Sequence, residues 1–179
     1  MRATTLVRTG AAVALTAVIG GLATDPGSAW YRTLRTPAWQ PPPPAYPLVW
    51  TPLYADIAVA SAAVLDAAHE SGDEDAGRGF AVALGANLVL NAGWNALFFA
   101  ARRPWPAAVE CAALTLSSAD LVRRAAALDR RAAIALAPYP AWCAFATALT
   151  VAIARRNSGT TARANLVHRL RGLWPGRSG

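Results

Sequence analysis

Lysine is absent from the 179-residue sequence, and histidine and cysteine occur twice each. Cys111 and Cys143 have no companion ligand at a metal-binding spacing, and both fall inside apolar runs, where a thiol packs as a small apolar group. His69 and His168 lie in a polar loop and in the tail, so neither is expected to serve as an axial ligand to a metal or haem. A glycine-rich phosphate loop, a nucleophile elbow and a well-spaced catalytic acid pair are all missing. No catalytic or metal-binding residue is therefore assigned, and the chain is not read as a conventional enzyme. Charge is scarce too. Only 15% of residues are charged, too few for an ordinary soluble domain, against 55% apolar residues and a mean hydropathy of +0.28.

The charges that exist are segregated, and the stretches between them are about as long as a bilayer core is thick, roughly 20 residues. Five spans are expected, over about 5–23, 46–68, 80–101, 105–121 and 132–154. In lipid every backbone group must be satisfied within the segment, so the fold class is all-α, an integral membrane bundle of five transmembrane helices. The basic start and short apolar middle of the first span also describe a secretory signal peptide. No internal repeat and no second domain are visible. The net charge of +7 is carried wholly by arginine. Because these arginines flank the spans rather than forming one stripe, headgroup anchoring explains them and nucleic acid is not an expected partner. Counted as far as Arg171, nine fall on the side holding the first loop and the tail and seven on the other, favouring a cytoplasmic C-terminus. In the basic tail, 158–179, Leu166, Leu170, Leu173 and Trp174 approach helical spacing with Arg163, Arg169 and Arg171 between them; this suits either an interfacial amphipathic helix or a frayed end.

Polar and aromatic residues stand inside the spans where they are costly. Asn87, Asn91 and Asn95 recur every four residues along one face of the third span, beside Trp94 and Phe98. Amides facing lipid would strand their hydrogen bonds, so the stripe must face other helices, as glue, or a cavity, as a polar point in an aromatic pocket. Pro138 and Pro140 predict a kink in the fifth span that opens space near Tyr139 and Trp142, with the small Ala146 one turn on. The second span offers Trp50 and Tyr54 four residues apart, although Trp at a span end also serves as an interface anchor. Asp66 and Asp120 lie near span ends, within reach of water; Asp56 and Glu110 are deeper and must be protonated, paired or facing a wet cavity. Small residues at four-residue spacing in the third span, Ala81 and Gly85, then Ala92, Ala96 and Ala100, suit either self-association or packing within the protomer.

Between the first two spans runs WYRTLRTPAWQPPPPAYPLVW, residues 30–50, with three Trp, two Tyr and six Pro. Its prolines stiffen it and deny it regular structure. A stiff aromatic loop over the mouth of a helical bundle can close it.

These residues resemble the TspO/MBR family, the tryptophan-rich sensory proteins and translocator proteins once called peripheral benzodiazepine receptors. The family's W-Y-x-x-L-x-K-P-x-W-x-P-P appears as WYRTLRTPAWQPP, with Thr36 in place of the Lys. V-W-x-x-L-Y appears as VWTPLY, L-N-x-x-W-x-x-x-F-F as LNAGWNALFF, and P-Y-x-x-W-x-x-x-A-T-x-L-N as PYPAWCAFATALT. The match runs in order from about Gly20 to Asn157. Thr150 and Val151 depart from the Asn and aromatic residue that close the last motif, which removes the Tyr of a weak sterol pattern. The Gly usual after L-Y in the second helix is also not evident in LYADIAVAS.

The resemblance implies a five-helix bundle in a bacterial cell membrane, commonly dimeric, with an uncleaved first span. It also implies a pocket beneath the first loop for porphyrins, protoporphyrin IX or haem, and other flat lipophilic molecules. Carried over by motif position, the ligand-binding residues are Trp39, Trp50, Tyr54, Asn91, Trp94, Phe98, Trp142 and Ala146. Arg32 and Arg35, in the loop, are expected partners for propionates. The function implied is tetrapyrrole sensing, transport or regulation, without a required cofactor. Carriage of other lipophilic molecules, or light-dependent porphyrin degradation, is the alternative.

Overall fold

The computed structural model describes the backbone of residues 1–173 and the side chains of residues 1–158. Among the described residues there is no strand. The helices are α1 (Ala3–Ala23), α2 (Ala29–Thr33), α3 (Ala45–Ser71), α4 (Glu74–Asn95, continuing as a π-helical turn over Ala96–Ala100), α5 (Pro104–Leu128), α6 (Arg130–Leu136) and α7 (Pro138–Leu173). Four stretches are long and apolar enough to cross a bilayer: Ala3–Ala23, Ala45–Ser71, Glu74–Ala100 and Arg130–Ser158. α5 fills the fourth expected span but is not among them, since Glu110, Ser117, Ser118 and Asp120 dilute its apolar content.

Local chemistry sets the element ends. α3 stops at Gly72, whose φ of 74° is left-handed and open to a residue without a Cβ; its N–H reaches back to the Ala68 and His69 carbonyls. Asp73 then caps α4, accepting from the Ala76 N–H at 3.0 Å, with Glu74 and Asp75 in the first turn. Asp129 closes α5 and caps α6, accepting from the N–H groups of Arg131 and Ala132. The proline-rich loop departs from expectation at its start: Ala29–Thr33 is a short helix because the Ser28 hydroxyl accepts from the Tyr31 N–H. Pro138 and Pro140 break the last span between α6 and α7, leaving Ala137 in a turn. The α7 backbone continues to Leu173; the side chains of Leu166, Leu170 and Leu173, and all of Trp174, lie outside the described residues.

α5 is the hub, packed on α4, α6 and α7, while α1 lies against α3 and α4. Ile57, Val64, Phe80, Leu121, Leu136 and Tyr139 are fully buried at the centre. Against lipid such contacts are rewarded by dispersion and fit more than by release of water. α1 approaches closely through a buried face of Thr9, Val13, Thr16 and Gly20. The Thr9 hydroxyl donates to the Ala58 carbonyl of α3 at 2.8 Å, and a Cβ on Gly20 would stand 2.8 Å from the Asn95 amide nitrogen. Leu15, Leu22, Val82, Val89, Val109, Leu116 and Ile134 point outward and form an apolar exterior. Of the small residues in the third span, Ala81, Gly85, Ala96 and Ala100 also face outward.

Two carboxylates near helix ends behave differently from each other. Asp120 is half-exposed and paired with Arg123 and Arg124. Asp66 does not reach water as expected. It is buried, accepting from the Thr5 hydroxyl at 2.6 Å and from Arg2 through both its backbone N–H and its guanidinium, and so ties the start of α1 to the end of α3.

Candidate ligand-binding site

A cavity of about 250 Å³ opens between α3, α4, α5 and α7, at the end of the bundle covered by the first loop. Its aromatic wall comes from three helices. Trp50 of α3 stacks on Tyr54 at 5.3 Å and meets Trp142 of α7 edge-on at 6.4 Å. Trp142 stacks on Phe145 at 5.2 Å. On α4, Trp94 stacks on Phe98 at 5.4 Å, one turn apart, and the π-helical turn that follows brings both Phe98 and Phe99 to the lining. That turn is fixed by the Ala101 N–H donating to the Ala96 carbonyl at 2.8 Å. π-Helical turns of this kind recur at functional sites, where they re-aim side chains at the cost of a regular hydrogen bond. Ala146 contributes a small side chain, Cys111 and Cys143 line the cavity from α5 and α7 as free thiols, and Thr24, Pro26, Tyr31 and Pro43 close it from the loop side.

The asparagine stripe serves as glue and wall at once. The Asn91 carbonyl oxygen accepts from the Tyr54 hydroxyl at 2.7 Å, and its amide donates to the Tyr139 hydroxyl at 3.0 Å. Tyr139 in turn donates to the Asn87 carbonyl at 2.8 Å, and the Asn87 amide donates to the Ser117 and Ser118 hydroxyls. One chain of hydrogen bonds thus crosses α3, α4, α5 and α7. Asn95 accepts from the Thr24 hydroxyl at 2.9 Å and joins the end of α1 to α4. By contrast, the indole N–H groups of Trp94 and Trp142, both on cavity-lining residues, are buried without a partner among the described residues. An indole can only donate, so these two N–H groups suit a guest that carries acceptors. Asp56 and Glu110 also keep buried oxygens without partners, but neither lines the cavity.

Six of the eight expected ligand residues line this one cavity: Trp50, Asn91, Trp94, Phe98, Trp142 and Ala146. Tyr54 stands behind the lining, against Trp50 and Asn91. Trp39 is 49% exposed on the loop and touches the wall from outside, edge-on to Phe145 at 5.7 Å. Arg32 and Arg35 are exposed on the loop and not part of the lining. Sequence reasoning missed Tyr31, Tyr46, Phe99 and Phe145. Phe145, one turn beyond Trp142, was the one that spacing alone could have found.

It also missed the latch that holds the loop down. The Asn157 side chain accepts from the Arg35 N–H at 3.0 Å and donates to the Arg35 carbonyl at 3.1 Å. Beside it the Arg156 guanidinium donates to the Thr36 carbonyl at 2.9 Å. The backbone of the proline-rich segment is thereby fastened to α7.

The TspO/MBR family profile matches residues 9–156. The chain is 32% identical to the tryptophan-rich protein TspO of Chlorobaculum tepidum over 74% of its own length and 82% of that protein's. It is 30% identical to the tryptophan-rich sensory protein of Cereibacter sphaeroides, over 72% and 77% of the two lengths. With the translocator protein of Sus scrofa it shares 32% identity over 74% and 78%. With the match extending from α1 into α7 and enclosing every wall of the aromatic cavity, the chain belongs to the TspO/MBR family.

Proposed function

We propose that the chain is a membrane binding protein for flat, acceptor-bearing hydrophobic molecules of the tetrapyrrole class, held in the aromatic cavity for sensing or transport. The observation that carries this is the convergence of Trp50, Trp94 and Trp142 on one hollow, two of them with unpartnered indole N–H groups. A porphyrin offers a wide π-face for stacking and pyrrole nitrogens or carboxylates as acceptors. The names of the relatives, sensory protein and translocator protein, are consistent with a binding role. At about 250 Å³ the cavity is below the roughly 300–1,000 Å³ of typical ligand pockets. Entry of a tetrapyrrole therefore requires the covering loop to lift, which would also bring Arg32 and Arg35 into play for acidic groups at the rim.

In this reading α5 crosses as the fourth span and brings the total to five. Its 25 residues extend about 37 Å as a helix, enough to cross, and its outward face presents Val109 and Leu116. Five spans put the termini on opposite sides, with the C-terminus cytoplasmic by the arginine bias.

Protoporphyrin IX titrated into the detergent-solubilised protein tests the reading through quenching of Trp fluorescence. Shrinking two indoles to phenyl rings and removing the free Trp142 N–H in Trp50→Phe/Trp142→Phe is expected to weaken binding by about tenfold or more. Unchanged affinity in the double variant, or no quenching in the parent, overturns it.

A further inference from the structure

At the opposite end of the bundle a groove of about 480 Å³ runs between the start of α1, the end of α3 and the start of α4. Arg2, Arg8 and Arg78 line it against a single carboxylate, Glu74. Their charges are unequally engaged. The Arg2 guanidinium is committed to Asp66, and Arg78 stands 3.7 Å from the fully solvated Asp75. Arg8 makes no ion pair among the described residues. Further down, the lining turns apolar and small, through Ala12, Ala81, Gly85 and Leu88. A Cβ added to Gly85 would meet nothing within 4 Å, so the groove is open at that depth, whereas one on Gly77 near its top would stand 3.0 Å from the Ala68 Cβ.

Dimension and polarity together select an occupant. From Arg2 to Ala12 on α1, and from Gly77 to Leu88 on α4, the groove descends about 15 Å, the depth of one leaflet of the hydrocarbon core. Arg2 and Arg78 stand at headgroup level, Arg8 enters about 9 Å further along α1 with a stem long enough to reach back toward them, and Ala12, Gly85 and Leu88 lie at acyl depth. We propose that this groove holds one anionic phospholipid, its phosphate between Arg8 and Arg78 and an acyl chain along Ala81 and Gly85. A second copy of the chain is the competing occupant. In a two-fold pairing through this face the copy would bring the same arginines against their equivalents, so like charge would meet like charge. A lipid phosphate instead supplies the anion that Arg8 lacks, in the manner of basic pockets between transmembrane helices.

The test uses the full chain in neutral detergent, delipidated, with binding read by native mass spectrometry and by thermal shift. Phosphatidylglycerol is expected to bind and raise Tm, and phosphatidylcholine is not. Arg8→Gln should weaken phosphatidylglycerol about fivefold, the worth of one arginine near an anionic headgroup. Gly85→Leu should exclude the acyl chain. Both variants should keep the parent's lipid-free Tm and the parent's protoporphyrin quenching, which separates this site from the aromatic cavity. Equal binding of the two lipids, or undiminished phosphatidylglycerol binding by both variants, overturns the proposal. So does glycerol phosphate binding as tightly as phosphatidylglycerol, which would mark a headgroup site without a lipid. Conversion of a dimer to a monomer by Gly85→Leu with lipid binding unchanged would assign the groove to a second copy.

Discussion

Tyr139 is the residue on which the polar interior converges. Its hydroxyl receives from Asn91 and donates to Asn87, and it is 1% exposed. Tyr139→Phe keeps the ring but strands an amide N–H and a carbonyl oxygen, which is expected to cost about 1–3 kcal/mol in SDS-titration unfolding. Tyr54→Phe strands one acceptor at the edge of the network and should cost less. Comparable losses from both would mean that the network acts as separate pairs. The asparagines were legible in advance because their four-residue spacing is a property of one helix. Their partners were not, since periodicity says which face is buried and is silent on which helix it meets. Asp66 shows the same limit: its depth suggested access to water, and only the approach of α1 reveals the Arg2 and Thr5 clamp.

Among the elements, the covering loop is held by few bonds relative to its length. Asn157→Ala removes both bonds to the Arg35 backbone and leaves Arg156 as the remaining hydrogen bond to this segment from α7. The loop should then open more often. Trypsin is expected to cleave after Arg32 and Arg35 several times faster than in the parent, and ligand on- and off-rates should rise together. Unchanged cleavage would show that aromatic packing of Tyr31 against Phe99, rather than the latch, keeps the loop closed. Helix existence was readable from composition, and the break at Pro138 from proline's missing donor. The short helix at Ala29–Thr33 was hidden by the prolines that follow it, although Ser28 supplied a cap signal. The π-helical turn at Ala96–Ala100 has no mark in ALFFA that separates it from an ordinary helix.

The molecule as a whole has two unlike ends, an aromatic cavity beneath a pinned loop and a basic groove at the opposite end. α4 lines both, and α5 packs along it while being the helix least suited by composition to lipid. Its polar residues face its neighbours, as with Ser117 and Ser118 against Asn87, whereas Val109 and Leu116 face out. Reporters fused after Arg103 and after Asp129 are therefore expected to read opposite sides of the membrane. The same side for both would leave four spans. The bilayer made the span order legible, because it restricts the backbone to helices of one length. Hydropathy averaged over a helix ranks α5 below the four stretches long and apolar enough to cross, because its polar and apolar residues occupy different faces.

The Arg35–Asn157 clasp has one more consequence. α7 continues beyond Ser158 to Leu173, so the amide that restrains the cavity's cover belongs to the same rod that carries the basic terminus. If a protein docked on that terminus tilts the rod enough to loosen the clasp, a guest in the hollow must alter that protein's grip by an equal factor, since such linkage runs both ways.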